Sequence, residues 1–389
     1  TPLYSSAASD VYKRQIDKVL VTGGAGFIGS FTVDLLVERG YDVIILDILE
    51  PQVHQGKAPE YLSEKARFVK GDIRDRELLT QLVKEVDAVM HLAAAVGVGQ
   101  SMYQIEKYVD YNTRGTATLL DVLVNKENNV KKLIVASSMS IYGEGKYHCE
   151  KCGVDRYPEL RSEEQMRNKA WYPHCPECKM PLKPLPTDEN KPIMPTSIYA
   201  LSKRHQEEMC LLTGKTYGIP TVALRYFNVY GSRQSLNNPY TGVCAIFSSR
   251  ILNNNPPYVF EDGKQTRDFV HVKDVAKVNL QALECNGADY MAVNVGTEKP
   301  VSIKKLAETL IELYGTKLQP YISGEYRKGD IRHCYANAQR MQKLLNFKPT
   351  ISLRDGLTEL TKWAKRHGWA SIDLFNKALD ELRSRKLAA

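Results

Sequence analysis

From Ile16 onward, short apolar runs alternate with longer segments in which apolar positions recur every three or four residues. The runs "KVLVTGG", "DVIILD", "RFVKGD", "AVMHLAA" and "KKLIVASS" are dense in Val, Ile and Leu, which predicts strands buried on both faces. Between the first two, "FIGSFTVDLLVERG" follows the helical period and is closed by Gly40. Strands of this kind, each followed by a helix, imply a parallel sheet covered on both sides, a doubly wound α/β architecture. Beyond Tyr230 the rhythm changes. Asn, Pro and Gly crowd "SLNNPYTG" and "NNNPPY", and helical patterns over Ser302–Tyr314 and Leu353–His367 alternate with short strands. This predicts a smaller C-terminal substrate domain, interleaved with late strands of the sheet such as "YMAVNVG". The tail "ASIDLFNKALDELRSRKLAA" reads as an amphipathic helix with a frayed end. The first fifteen residues, "TPLYSSAASDVYKRQ", carry no periodic pattern and read as a cloning scar or a disordered leader. The expected units are therefore a leader at 1–15, a dinucleotide-binding domain at 16–143, an insertion at 144–186, a continuation of the first domain at 187–230, and a substrate-binding domain at 231–389.

Composition narrows the class. The 389 residues are 43% hydrophobic and 25% charged, with a net charge of +8. That balance fits an anionic small molecule, whereas no block of Lys and Arg marks a nucleic-acid or membrane surface. With no apolar run of membrane-spanning length and no signal-peptide pattern, the expected compartment is the cytoplasm. Eight cysteines do not read as a disulfide framework. Four fall in two Cys-x-x-Cys pairs, and Cys210, Cys244, Cys285 and Cys334 are scattered among apolar segments as buried thiols usually are.

The first strand and helix are joined by "VLVTGGAGFIGS", which sets Gly23, Gly24, Gly26 and Gly29 at the turn, with Phe27 and Ile28 opening the helix. Glycines there permit a tight turn, close backbone approach to a pyrophosphate and close helix–strand packing, and the helix N-terminus meets the phosphate charge. This is a Rossmann-type dinucleotide cradle. Asp47 ends the second strand about twenty residues on, where a carboxylate accepts both ribose hydroxyls and repels a 2′-phosphate. The expected cofactor is accordingly NAD, although an Asp at that place also serves as an ordinary turn residue. Asp72 and Ile73 end the third strand beside the adenine, and Ala93 in "HLAAAVGVG" leaves room for the cofactor to pass. Farther along, "SIYALSK" puts Tyr199 and Lys203 four apart on one helix face. An ammonium beside a phenol favours the phenolate, so Lys203 is expected to pull Tyr199 down from about 10 and make it a general base.

With "TGGAGFIG", "SSMSIYG", "YALSK", "ALRYFNVYG" and "RDFVHVKDVA" in this order, the chain resembles the extended short-chain dehydrogenase/reductase family, and within it the nucleotide-sugar epimerases and dehydratases. The resemblance runs from Ile16 to about Gly368 except across the cysteine segment. It implies that Ser138 hydrogen-bonds the reacting sugar hydroxyl, that Tyr199 and Lys203 are the catalytic pair, and that Lys203 also holds the nicotinamide ribose. It further implies that Asn228 contacts the sugar diphosphate, that Arg267 and Arg327 hold the pyrophosphate, and that Asn112 is structural or cofactor-side. Dehydratases of the family carry Asp and Glu after the hydroxyl residue. This chain has Met139 and Ser140, which transfer no proton as carboxylates do, so C4 epimerisation through a 4-keto intermediate is expected instead of elimination. The helical spans Ser101–Val124 and Ser197–Tyr217 resemble the pair that builds the family's homodimer interface.

The spacing Cys149-x2-Cys152-x22-Cys175-x2-Cys178 is close to that of a zinc ribbon. Four thiolates leave no open coordination position, so one structural zinc per chain is expected; four free thiols in a polar loop are the alternative. Lying between Ser138 and Tyr199, the ribbon is expected to cover the substrate entrance. Its wording, with "YPELRSEEQ" and "RYFNVYGSRQSLNNPYTGV", resembles the subgroup of dTDP-L-rhamnose 4-epimerases, and the UDP-sugar 4-epimerases are the other reading. A non-enzymatic NAD-binding scaffold has no need of Ser138, Tyr199 and Lys203 together.

Overall fold

The computed structural model describes residues 16–367 and 372–389; the leader at 1–15 and the junction at 368–371 lie outside them. Seven strands form the central sheet: β1 (Lys18–Thr22), β2 (Asp42–Asp47), β3 (Arg67–Lys70), β4 (Ala88–His91), β5 (Lys132–Ser138), β6 (Thr221–Tyr226) and β7 (Met291–Val295). Their order is β7-β6-β5-β4-β1-β2-β3 and every pairing is parallel. The order reverses between β1 and β4, the place where a crevice opens at the carboxyl ends of the strands.

Alternation along each strand feeds two separate cores. Val19 and Val21 enter one, packed with Val33 and Leu36 of α1 (Phe27–Glu38). Leu20 enters the other, beneath α2 (Arg76–Lys84), α3 (Gly115–Asn125) and α4 (Ile198–Tyr217). Side chains set these helix starts: Asp75 accepts from the amides of Glu77 and Leu78, and Ser197 accepts from that of Ala200. The smaller domain contains α5 (Val243–Leu252), α7 (Ile303–Tyr314) and α8 (Leu353–His367) around Phe247, Leu306, Leu310 and Leu360, and α6 (Val272–Glu284) returns to cover the sheet beside α1. A last helix, α9 (Phe375–Ser384), follows.

Two expectations are corrected here. The span 101–124 is no single helix: short turns at Val98–Ser101 and Ile105–Tyr108 lead into a π-helical segment, Val109–Arg114, before α3 begins. The tail is not frayed either. The backbone of Ala389 exchanges hydrogen bonds with Tyr326 (2.8 and 3.0 Å), and the Lys328 amide donates to Leu387 (2.9 Å).

The insertion folds as a three-stranded antiparallel sheet of Lys146–Cys149, Val154–Arg156 and Lys183–Leu185. It is anchored by charge. Arg161 donates to both Glu261 oxygens (2.9 Å each) and to the carbonyls of Trp171 and Asp330 (3.0 Å each). Arg332, 0% exposed, donates to Glu261 and Asp262 (2.7 Å each), while its amide donates to Glu144 (2.6 Å). Tyr147 also donates to Glu144 (2.7 Å). Burial pushes the Glu144 carboxyl up, opposed by Arg161 and these donors. Glu261 is held at φ 55, a left-handed conformation costing about 1–2 kcal/mol for a non-glycine residue.

Removing one partner of a buried charge cluster strands the others. Arg161→Met should therefore destabilise the protein by about 3–5 kcal/mol in urea unfolding. A loss below about 1 kcal/mol, the value of an exposed pair, would mean that the cluster is solvated in solution.

Candidate active site

The carboxyl ends of β1, β2, β4, β5 and β6 open on one cavity of about 630 Å³. Its floor is the glycine turn. Gly23 sits at φ +71, and a Cβ there would lie 2.8 Å from the backbone of Ala93; a Cβ on Gly29 would collide with the Gly23 carbonyl. Ala93 is small because this loop presses on it, and its amide reaches Thr22 Oγ1 (3.3 Å). Asp47 is buried at the cavity wall, one oxygen accepting from the Ala25 amide (3.1 Å) and the other from that of Leu49 (2.9 Å). It thereby ties the glycine turn to the end of β2. Gly26, Phe27, Ile28, Asp72 and Ile73 line the same cavity. Burial opposes ionisation of Asp72, but the hydrogen bonds and charge of Arg74 outweigh it and hold the carboxyl below its ordinary range. Arg74 in turn lies over the Tyr111 ring at 4.3 Å.

The π-helical segment turns Asn112 inward, where it is fully buried. Its Oδ1 accepts from the Ala95 amide (2.7 Å), and its Nδ2 reaches the Ala95 carbonyl (3.1 Å) and Ser202 Oγ (2.9 Å). Asn112 thus fastens the loop after β4 to α4. It lies behind the cavity wall, outside the lining residues.

Ser138 ends β5 in extended geometry, and its hydroxyl accepts from the Ser140 amide (3.1 Å). Tyr199 stands in the first turn of α4, its amide bound to Ser101 Oγ (3.0 Å) and its ring edge-on to Tyr108 at 6.3 Å. Lys203 follows one turn later, only 3% exposed, and donates to Gln206 Oε1 (2.6 Å). Gln206 Nε2 reaches Thr116 Oγ1 (2.8 Å) and His91 Nε2 (3.1 Å), so the lysine is seated by a buried polar network. The expected electrostatics are corrected. Burial raises the Tyr199 phenol, and a hydrogen bond with Ser138 partly offsets it, without a contribution from Lys203. Burial pushes Lys203 itself down to about 7.

At the far end, Arg267 donates to the carbonyls of Ile331 (2.7 Å) and Arg332 (3.1 Å), and Arg327 Nε donates to Asp330 (2.8 Å) with its guanidinium 4.6 Å above the Phe260 ring. Asn228 lies between the two ends, its buried Oδ1 without a hydrogen-bond partner among the described residues. Gln234 and Gln265 also line the cavity with buried, unpartnered Oε1 atoms. Sequence reasoning missed both, since an amide titrates nowhere near neutrality; the only signal was the place of Gln265 two residues before Arg267. That the tail helix α9 is amphipathic was expected, but not that its Phe375, Leu379 and Leu382 line this cavity.

Apart from the cavity, Cys149, Cys152, Cys175 and Cys178 place their four sulfurs within 4.8 Å of one another. All are free thiols, with Cys149–Cys178 at 3.4 Å and Cys152–Cys175 at 3.9 Å. A tetrahedron with Zn–S bonds of about 2.3 Å has edges of about 3.8 Å, so the donor set fits zinc. The knuckles close on Gly153 (φ +68) and Lys179 (φ 61), whose amides donate to Cys149 and Cys175 carbonyls (2.8 and 3.0 Å). The ribbon does not cover the entrance: none of residues 144–186 lines the cavity. It buttresses the wall from behind, with Met166 and Trp171 packed on Tyr326 and Glu163 paired to Lys328 (3.1 Å).

The NAD dependent epimerase/dehydratase family model matches residues 19–296. A putative UDP-glucose 4-epimerase of Methanocaldococcus jannaschii is 36% identical over 351 residues, 90% of this chain and 99% of that protein. A dTDP-L-rhamnose 4-epimerase of Burkholderia thailandensis is 34% identical over 361 residues, 91% of this chain and 97% of that protein. Among solved structures, Thermotoga maritima UDP-glucose 4-epimerase with UDP-glucose superposes with a TM-score of 0.73 at 30% identity, covering 90% of this chain and 99% of that one. No helix among the described residues is long and apolar enough to cross a membrane.

The depressed Lys203 has a measurable consequence. An unfolded lysine titrates near 10.4, so in the cofactor-free protein the cost of burying Lys203 is fully present below about pH 7 and disappears as pH rises to about 10.4. Relative to Lys203→Met, the unsubstituted protein should therefore gain thermal stability across that window. A pH-independent difference in Tm between the two would mean that the buried lysine keeps its ordinary pKa.

Proposed function

Because the chain belongs to the NAD dependent epimerase/dehydratase family and is an NAD-dependent nucleotide-sugar 4-epimerase within it, we propose that it interconverts dTDP-L-rhamnose and dTDP-6-deoxy-L-talose. One observation carries the chemistry: Ser138, Tyr199 and Lys203 share a single cavity with the glycine cradle and with Arg267 and Arg327, and Met139 and Ser140 bring no carboxylate to it. Gly23, Gly26, Gly29, Asp47 and Lys203 would hold NAD, which would supply a reversible hydride acceptor for sugar C4. Ser138 hydrogen-bonds the C4 hydroxyl, and Tyr199 takes its proton and later gives it back. Burial of Tyr199 disfavours the phenolate, so a cationic nicotinamide beside it would supply the positive field that favours proton removal. Asn228, Gln234 and Gln265 offer acceptors to the substrate, and the Arg267 and Arg327 guanidiniums receive its diphosphate.

The 6-deoxy sugar is favoured by the wall beside Tyr199. The segment fastened to it through Ser101 turns Val96, Val98 and Met102 toward the cavity, an aliphatic surface suited to a methyl group and poor for a hydroxymethyl or carboxylate. The 36% identity to the putative UDP-glucose 4-epimerase supports the second reading, a UDP-hexose. We also assign one structural zinc to the four cysteines, and a homodimer to the faces bearing Ile105, Val109, Leu201 and Leu212, which are exposed in the single chain.

A panel of dTDP- and UDP-sugars tests the substrate. Turnover should be greatest with dTDP-L-rhamnose, without net NADH, and Tyr199→Phe should lower kcat by about 10²–10⁴-fold while NAD stays bound. Preference for UDP-glucose would select the second reading, and near-normal turnover of Tyr199→Phe would remove Tyr199 as the base. Native mass spectrometry under reducing conditions tests the assembly: the mass should be that of two chains carrying two zinc ions, with both metals lost in the Cys175→Ser/Cys178→Ser variant. A metal-free species or a monomer at micromolar concentration would overturn the corresponding assignment.

A further inference from the structure

The aliphatic face of α9 closes the cavity that the reaction uses. Phe375, Leu379 and Leu382 of α9 and Leu387 of the tail line it, and with Phe260 and Ala388 they form a small core of their own. The helix spans both ends of the site. At one end, a Cβ on Gly99 would touch Leu382 at 3.3 Å, and Gly99 lies two residues before Ser101, whose hydroxyl holds the Tyr199 amide (3.0 Å). At the other, Phe375 packs on Tyr258 and Phe260, the latter beneath Arg327.

Polar contacts hold the helix in place. Glu381 accepts from the hydroxyls of Tyr103 and Tyr240 (2.8 Å each), which meet one another at 2.6 Å. Arg385 lies 4.3 Å over the Tyr103 ring, and Arg383 pairs with Glu325 (2.6 Å). Tyr103 belongs to the loop that follows β4 and Tyr240 to the smaller domain, so one carboxylate ties α9 across both sides of the cleft. The tail completes the closure by pairing Ala388 with Arg327 in the loop that carries the diphosphate-binding arginine.

We propose that α9 is a retaining roof: Leu382 and its neighbours keep the 4-keto sugar and the reduced cofactor away from water while the sugar turns over, and Glu381 is the latch. The proposal rests on the epimerase reading and extends it. Oxidation breaks the C4–H and O–H bonds, sending a hydride to NAD and a proton to Tyr199. A 4-keto sugar that escapes before the hydride returns leaves one equivalent of NADH on the protein. An apolar, close-fitting surface with no hydrogen-bond partner to offer lets the flat ketone rotate without anchoring it, and excludes the water that would carry it out.

The test uses the full-length holoenzyme with Leu382→Ala. During incubation with the nucleotide sugar that the unsubstituted enzyme epimerises, bound NADH and free 4-keto sugar should accumulate about tenfold or more faster in the variant than in the parent. In a second measurement that needs no substrate, the fluorescence of bound NADH after chemical reduction should be quenched by acrylamide more readily in the variant. Glu381→Gln, which loosens the latch and leaves the aliphatic face intact, should move both readouts in the same direction and serves if Leu382→Ala does not fold. Quenching and NADH build-up equal to those of the parent would overturn the roof and leave α9 a packing element. Failure of the parent to epimerise any nucleotide sugar would overturn the preceding reading, and the quenching contrast would still decide the roof.

Discussion

The buried charges of Glu144, Arg161, Glu261 and Arg332, with the partly buried Asp262, hold the molecule's most distant parts to one another. Glu144 follows the β5 exit that carries Ser138, Arg161 comes from the insertion, Glu261 and Asp262 belong to the smaller domain, and Arg332 closes the loop after Arg327. None of these groups tolerates burial alone, so each segment is stable in its place only when the others are present. This mutual dependence shapes the end of the cavity lined by Arg267 and Arg327. Arg267 spends donors on the carbonyls of Ile331 and Arg332, and the Asp330 carbonyl is taken by Arg161, so the loop cannot move without breaking the cluster.

The reacting end is built on a different principle. There the cost of burial is left standing. Lys203 is seated in a neutral network of Gln206, Thr116 and His91, with no carboxylate hydrogen-bonded to it among the described residues. His91 itself is pushed down to about 3, by burial first and then by the Lys203 charge. Tyr199, less deeply buried than either, has Ser138 to ease its ionisation. With burial only partly offset, these groups are responsive to whatever charge enters the cavity, and a positive charge beside Tyr199 would favour its phenolate.

Much of this was legible from local pattern. The strands β1 to β5, the glycine turn, Asp47 and the Tyr199–Lys203 pair are written in stretches of a few residues, where periodicity and steric need leave little choice. What was not legible depends on distant partners. The π-helical turn that buries Asn112 has no signature in "DYNTRGT"; it exists because Ala95 and Ser202 supply partners for an amide that would otherwise be stranded. The docking of the ribbon depends on Arg161 meeting Glu261, a hundred residues away. The sign of the Tyr199 shift was misjudged for the same reason, because burial is a property of the fold and outweighed the neighbouring ammonium. The tail helix was read as amphipathic, but nothing in its own residues told where its apolar face would settle.

The position of the insertion also sets an order of events in folding. β5 and β6 are neighbours in the sheet, yet the whole ribbon lies between them in the chain. The parallel pairing that brings Ser138 beside the helix carrying Tyr199 therefore closes a long loop, and its entropic cost falls if the ribbon has already become compact. A metal captured early by the four cysteines would shorten the effective loop and hasten assembly of the sheet, whatever its contribution once folding is complete. With such a metal bound, the speed of reaching the native state would be linked to metal supply, a kinetic dependence that turnover by the finished enzyme would not reveal.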